Sequence, residues 1–182
     1  LPNRRDRNLM TGGAIIERRV AVEVRAANRR LEGYAALFDA EANLGSFHES
    51  IRAGAFSEAL KSNDILALFD HDPARLLART KSGTLRLLED QRGLQFELDI
   101  PDTQAGNDAL VLAERGDLGG MSFGFSVLPN GEKWEGKRRT LLNVDLREIS
   151  VVSSWPAYDG TSVNARSATP RLNRLKRYLE TV

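Results

Sequence analysis

The only two imidazoles in this chain of 182 residues are His48 and His71, so a histidine base must be one of them. His71 follows the apolar run 65–69 and stands between two aspartates, where the end of a buried strand can present a side chain rigidly. His48 lies in a polar stretch, where we expect it to be exposed or structural. An inert turn histidine is the alternative interpretation of His71. The chain has no cysteine, which excludes thiolate catalysis, disulfides and Cys-based metal sites.

Ser122 is the candidate nucleophile. It lies in the segment GGMSFGF (119–125), where strand alternation predicts that Phe123 and Phe125 face the core. Ser122 and Gly124 then lie on the opposite, accessible face, and Gly124 permits close approach of another group. Glycines flank Ser122 at the spacing of the nucleophile elbow, but a strand rather than a helix is predicted to follow, so the segment is not that motif. The alternative interpretation is an ordinary strand serine.

A carboxylate is the third group that a Ser–His pair usually needs, because it holds the imidazole tautomer and stabilises its cation. Glu148, Asp70 and Asp72 are the candidates. We prefer Glu148, since the sequence neighbours of a turn histidine usually diverge from its ring, whereas a facing strand can present a carboxylate to it. In the segment 146–152, alternation places Glu148 on the less apolar face together with Ser150. An exposed strand glutamate is the alternative.

The elements that must position these residues are mostly strands. Alternating or continuous apolar runs predict strands at 20–24, 31–38, 65–69, 76–80, 84–88, 93–100, 121–128 and 141–152. Helical spacing predicts helices at 54–62, 103–115 and 170–179, and residues 39–45 are predicted to form a loop. Many strands without a βαβ rhythm predict an α+β fold that is mainly β, a barrel or sandwich with a few helices packed outside.

Charge and composition suggest three regions: a flexible basic leader at 1–17, one folded domain at 18–165, and a basic amphipathic helix at 166–182. Residues 1–30 carry eight Arg against three acids, and the last 18 residues carry five basic groups against one acid, which leaves the middle at −8. Basic ends can contact nucleic acid or an acidic protein surface, but we favour solvated tails. The hydrophobic fraction of 41% is typical of a soluble globular protein, and no stretch approaches the ~20 apolar residues of a membrane span.

Taken in order, several segments resemble the prohead (capsid maturation) serine proteases of phages with the HK97-type capsid, over about residues 30–160. The matching stretches are GYA (33–35) with Phe38, FHESIRAGAF (47–56), LFDHDP (68–73), GLQF (93–96), RGDLGGMSFGF (115–125), EISVV (148–152) and PAY (156–158). The resemblance implies a closed or partly closed β-barrel ringed by helices, as in the related herpesvirus assemblins. It also implies that His71 is the base, Ser122 the nucleophile and Glu148 the acidic third member.

The function implied by this resemblance is that of a serine endopeptidase acting through an acyl-enzyme, without metal or organic cofactor. The resemblance implies two substrates, the major capsid protein with its scaffold segment and the protease itself, the second through self-association as a homo-oligomer. It places the reaction inside the assembling procapsid in the host cytoplasm. No membrane or nucleic-acid partner is expected. A non-enzymatic procapsid scaffold or binding protein of the same fold is the main alternative, although it would need neither His71 nor Ser122. An unrelated esterase and a nucleic-acid-binding protein are the others.

Overall fold

A computed structural model describes residues 16–21 and 23–153, and strands dominate this part of the chain. In chain order the elements are β1 (Glu17–Ala21), β2 (Glu23–Ala27), β3 (Arg30–Leu37), β4 (Ala42–Asn43), β5 (His48–Ile51), α1 (Ser57–Ser62), β6 (Leu66–Phe69), β7 (Asp72–Arg79), β8 (Leu85–Glu89), β9 (Gly93–Asp99), α2 (Gln104–Arg115), β10 (Gly120–Val127), β11 (Glu132–Glu135), β12 (Arg138–Leu141) and β13 (Val144–Val152). The prediction of an α+β fold that is mainly β is confirmed. Most of the predicted leader and the predicted C-terminal helix lie outside the described residues.

The described strands form three sheets. The main sheet has the order β1-β10-β13-β6-β7, in which β13 and β6 are parallel and the other neighbours antiparallel. The second sheet, β2-β3-β9-β8, is antiparallel throughout, and the third, β11-β12-β5-β4, contains one parallel pair, β12 and β5. No pairing among the described strands closes these sheets into a barrel, so the assemblin-like barrel stays a prediction.

Aromatic side chains fix the position of β10 in the main sheet. Phe123 and Phe125 are almost completely buried, with ring centroids 5.4 Å apart, and Phe56 packs edge-on against Phe123 at 5.7 Å. Burying a phenylalanine stabilises a fold by roughly 1.5–3 kcal/mol. These two rings therefore hold the core face of β10, as alternation predicts, and they set the orientation of the residues between them.

A cluster of charged side chains around the buried Glu49, the ion cluster, ties β1 to the third sheet; its members are Glu17, Arg19, Glu49, Glu132 and Arg139. Arg19 makes a two-point contact with Glu49, at 2.5 and 2.9 Å. Arg139 makes another with Glu17, at 2.5 and 2.8 Å, and also bonds Glu49 at 3.0 Å and Glu132 at 2.6 Å. Glu49 is only 2% exposed, so its charge depends on these arginines.

Strands β3, β9 and β10 and helix α2 lie close to their predicted positions. Thr103 caps α2 by accepting a hydrogen bond from Gly106 N–H at 3.2 Å, and Gly116 ends the helix with a φ of +76°. Helix α1 is shorter than predicted and begins at Ser57. Strands β5, β11 and β12 were not predicted, and the short β4 lies inside the predicted loop. Of the two helices in the described part of the chain, neither is long and apolar enough to cross a membrane.

Candidate active site

A tight hairpin between β6 and β7 presents His71. Its two turn residues, Asp70 and His71, have φ values of +51° and +60°, as in type I′ turns. Left-handed backbone costs a residue other than glycine roughly 1–2 kcal/mol, so other contacts must hold the turn. Asp70 N–H donates to Val151 O at 2.8 Å, and the Asp70 carboxylate accepts hydrogen bonds from Ser153 N–H at 2.8 Å and from its hydroxyl at 3.0 Å. The turn is thereby tied to the end of β13.

His71 contacts the carboxylate of Glu148. His71 Nδ1 lies 2.7 Å from Glu148 Oε1, and the two side chains are 20% and 10% exposed. The two aspartates point elsewhere: Asp70 bonds the end of β13, and Asp72 accepts a hydrogen bond from Ala74 N–H at 2.9 Å. Of the three candidate carboxylates, the structure brings Glu148 to the imidazole.

Two further side chains contact the Glu148 carboxylate. Ser150 donates a hydrogen bond to Oε2, and Arg18 Nε lies 3.5 Å from Oε1. Burial by itself raises the pKa of Glu148, but the hydrogen bonds from His71 and Ser150 and the charges of His71 and Arg18 outweigh it. The pKa therefore lies below its ordinary value of 4.5. Glu148 is an anion at neutral pH.

Gly124 makes room for this carboxylate. It pairs with Glu148 across β10 and β13, and a Cβ atom at Gly124 would lie 2.6 Å from Glu148 Oε1 and 2.9 Å from its Cγ. The prediction that Gly124 permits close approach of another group is confirmed. Next to this pair, Arg147 lies outside the β10–β13 ladder as a β-bulge, because Phe125 pairs with Leu146.

Ser122 lies on the same face of the main sheet as Glu148. It pairs directly with Ser150, two residues from the pair of Gly124 and Glu148. Ser122 is fully buried, so the prediction of an accessible face is wrong. Alternation assigns a residue to a face, but it does not show whether that face is covered.

The Ser122 hydroxyl is unpaired within the part of the chain that the structure describes. Among residues 16–21 and 23–153, its Oγ has no hydrogen-bond partner, and therefore none to His71. An unsatisfied buried polar group costs about 1–3 kcal/mol, so such a group calls for an explanation in function or in strain.

The other histidine, His48, lies in a different sheet from Glu148 and Ser122. His48 is in β5 of the third sheet, with its side chain 43% exposed and Nδ1 2.9 Å from Glu41 Oε1. This agrees with the expectation that it is exposed or structural. Within the part of the chain that the structure describes, no three His, Asp or Glu side chains are grouped as metal ligands would be.

Two side chains that contact Glu148, those of Ser150 and Arg18, were not among the predicted site residues. Ser150 could have been found from the Glu-x-Ser spacing, since residues two apart on a strand share a face. Arg18 gives no such signal, because it reaches Glu148 only through the long-range pairing of β1 with β10.

Comparison with known proteins gives a family but no individual relative. The family model described as caudovirus prohead serine protease matches residues 17–174. No curated protein and no solved structure matches the chain. The match spans most of the 182 residues and confirms the family indicated by the sequence motifs. The chain therefore belongs to the caudovirus prohead serine proteases, the enzymes of phage capsid maturation.

Proposed function

We propose that this protease is an endopeptidase in which Ser122 is the nucleophile, His71 the general base and Glu148 the acid that orients the base. The observation that carries the proposal is the 2.7 Å contact between His71 and Glu148, on the sheet face that holds the buried hydroxyl of Ser122. Among the described residues this hydroxyl has no hydrogen-bond partner. A buried carboxylate bonded to a histidine, with a serine on the neighbouring strand, provides all three groups that acyl transfer requires.

The contact with Glu148 determines which nitrogen of His71 acts as the base. A carboxylate accepts hydrogen bonds, so the neutral imidazole carries its proton on Nδ1, next to Glu148 Oε1. The lone pair then lies on Nε2. When Nε2 takes a proton, the anionic Glu148 stabilises the resulting imidazolium.

The proposed reaction has two halves. His71 Nε2 takes the proton of the Ser122 hydroxyl while Oγ bonds the scissile carbonyl carbon, and two backbone N–H groups stabilise the oxyanion. The imidazolium then protonates the leaving amine as the C–N bond breaks, which gives the acyl-enzyme. Water, deprotonated by His71, releases the acyl group and restores Ser122. Because Ser122 is buried, a substrate peptide must displace part of its cover before attack.

The substrates that we propose are the major capsid protein with its scaffold segment and the protease itself, which would make self-association part of autoprocessing. The reaction would take place inside the assembling procapsid in the host cytoplasm. We also propose that the three sheets belong to an assemblin-like barrel. The membership of the chain in the prohead serine proteases supports these assignments.

Replacing the proposed nucleophile tests the function directly. In Ser122→Ala, capsid-protein processing on co-expression and labelling by a fluorophosphonate probe should both be abolished, because the attacking oxygen is gone. The free energy of unfolding should not fall, since the lost hydroxyl has no described partner. Ser126→Ala is the control, a second buried serine on the same strand, and it should keep both activities. Normal processing by Ser122→Ala would remove Ser122 from the mechanism.

A further inference from the structure

We infer that Ser150 is a positioning residue of this protease, which fixes the Glu148 carboxylate and, through it, the ring of His71. This inference rests on the proposed function, since it gives Ser150 a task only if Glu148 orients His71. Nothing in the family match assigns a role to Ser150.

The two oxygens of Glu148 have separate partners. Oε1 lies 2.7 Å from His71 Nδ1, while Oε2 accepts its hydrogen bond from the hydroxyl of Ser150. Within the described residues, Ser150 is the only hydrogen-bond partner of Oε2. A carboxylate held at both oxygens cannot rotate about its last bond without losing one of the two hydrogen bonds. The plane of the carboxylate, and hence the direction in which it presents Oε1 to the imidazole, is therefore set by Ser150.

Ser150 and Glu148 are both buried, which makes the hydrogen bond between them hard to replace. Ser150 is fully buried and Glu148 is 7% exposed, so water does not readily replace a lost hydrogen bond. The missing side chain of Gly124 lets the carboxylate lie close to β10 but provides no donor on a side chain. Gly124 makes the space, and Ser150 fixes the orientation within it.

Ser150 could instead be the nucleophile, because it directly faces Ser122 across the two strands. Its hydroxyl proton, however, is committed to Glu148, whereas a nucleophile must give its proton to the imidazole. The Ser122 hydroxyl carries no such commitment. The contacts therefore favour Ser122 for attack and Ser150 for positioning.

The test compares Ser150→Ala with Ser150→Thr, which keeps the hydroxyl, and with Ser126→Ala as the matched deletion elsewhere on the sheet. The first measurement is the rate of covalent labelling by a fluorophosphonate probe, with the labelled residue found by peptide mass spectrometry. The second is the tautomer of His71, read from ¹⁵N chemical shifts of the imidazole. The sequence has only two histidines, so the spectrum contains two rings. This second measurement does not depend on access of the probe to Ser122.

The probe should label Ser122 of the Ser150→Ala variant roughly 10- to 100-fold more slowly than Ser122 of the parent protein. This is the scale expected when a catalytic group is misplaced by about 1 Å. The His71 ring should change from one Nδ1–H tautomer to a mixture. Ser150→Thr should recover a large part of both properties, and Ser126→Ala should match the parent protein.

Three results would overturn the inference. They are parental labelling and an unchanged tautomer in Ser150→Ala, equal losses in Ser150→Ala and Ser126→Ala, or labelling at Ser150 itself. Failure of the proposed function would look different: Glu148→Gln would label at the parental rate, which would remove the carboxylate from the mechanism.

Discussion

The two faces of the main sheet bury polar clusters of opposite character. On one face, the ion cluster joins charged groups through two-point contacts, and Arg19 and Arg139 both bond the buried Glu49. On the other face, the site cluster of His71, Ser122, Glu148 and Ser150 leaves one buried hydroxyl, that of Ser122, without a described partner. The hydrogen bonds of the ion cluster join β1 to the third sheet, whereas an unpaired buried hydroxyl costs stability. In the function proposed above, that hydroxyl is the group that reacts.

The largest loss of activity is expected from a substitution at Glu148. Glu148→Gln should reduce the rate of capsid-protein processing by about 10³- to 10⁴-fold, because an amide can donate to Nδ1 and stabilise the wrong tautomer. Asp72→Asn should remain near the parental rate, since Asp72 bonds only the local backbone of Ala74 among the described residues. The reverse ranking would move the role of the third group to the turn aspartate.

A substitution in the ion cluster should change the stability of the fold rather than the catalytic activity. Glu49→Gln removes the charge that faces Arg19 and Arg139, and breaking such a buried pairing costs about 3–5 kcal/mol in the free energy of unfolding. Urea unfolding measures this loss, and the fluorophosphonate labelling rate of the folded fraction should stay near that of the parent. Glu135→Gln is the control on an exposed ion pair, the one with Lys133, and should leave the free energy of unfolding almost unchanged. A comparable loss in both variants would contradict a special role for the buried cluster.

Gly124→Ala should affect activity more than folding. The added methyl would lie 2.6 Å from Glu148 Oε1, so the carboxylate must move, and we expect roughly a tenfold loss in labelling rate. Gly93→Ala is the contrasting variant, because its Cβ would lie 2.1 Å from the backbone oxygen of Ala36 and would strain the fold instead. Measuring both labelling and urea unfolding separates the two effects. Unfolding of Gly124→Ala at a much lower urea concentration would show that the glycine is needed for the fold.

The smallest expected effect is a dependence of stability on pH through Glu17. A hydrogen bond from Arg139 is the main cause that lowers the pKa of Glu17 below 4.5, against the opposing effect of burial. A carboxyl whose pKa is lower in the folded state contributes its full stability above about pH 4.5, the unfolded value, and loses it as the pH falls through the folded pKa. The free energy of unfolding should therefore fall less steeply between pH 5 and pH 3, roughly, in Glu17→Gln than in the parent. If the free energy of unfolding of both proteins fell equally steeply with decreasing pH, Glu17 would not make this contribution.

A strand or helix was predicted correctly where its apolar residues recur with a single period, two for a strand or 3.6 for a helix. Alternating phenylalanines mark β10 and helical spacing marks α2, and both patterns are local, so the sequence identifies both elements. Strand β11 is exposed along its whole length, and no burial pattern marks it. Strand β5 was missed because its buried Glu49 looks like a surface residue until Arg19 and Arg139, far away in the chain, are placed beside it.

The site was predictable to a similar extent. Residue type and local setting make His71 and Ser122 candidates, and strand alternation places Glu148 on the less apolar face, but it is the resemblance to the prohead proteases that implies their roles. The hydrogen bond of Ser150 to the carboxylate and the approach of Arg18 depend on how separate strands pair, including the bulge at Arg147. The burial of Ser122 depends on what packs over the second face of β10, which no local pattern contains.

Strand β1 lies at the edge of the main sheet, and its adjacent residues Arg18 and Arg19 project to opposite faces of that sheet. Arg18 contacts Glu148 on one face, and Arg19 bonds Glu49 on the other. A slip of β1 by one residue along β10 would exchange these faces, moving Arg19 away from Glu49 and leaving a buried carboxylate without one of its partners. Edge strands are otherwise prone to slip and to mispair during folding. The two arginines thus give β1 a single satisfied register, and that register aligns it with the strand that carries Ser122.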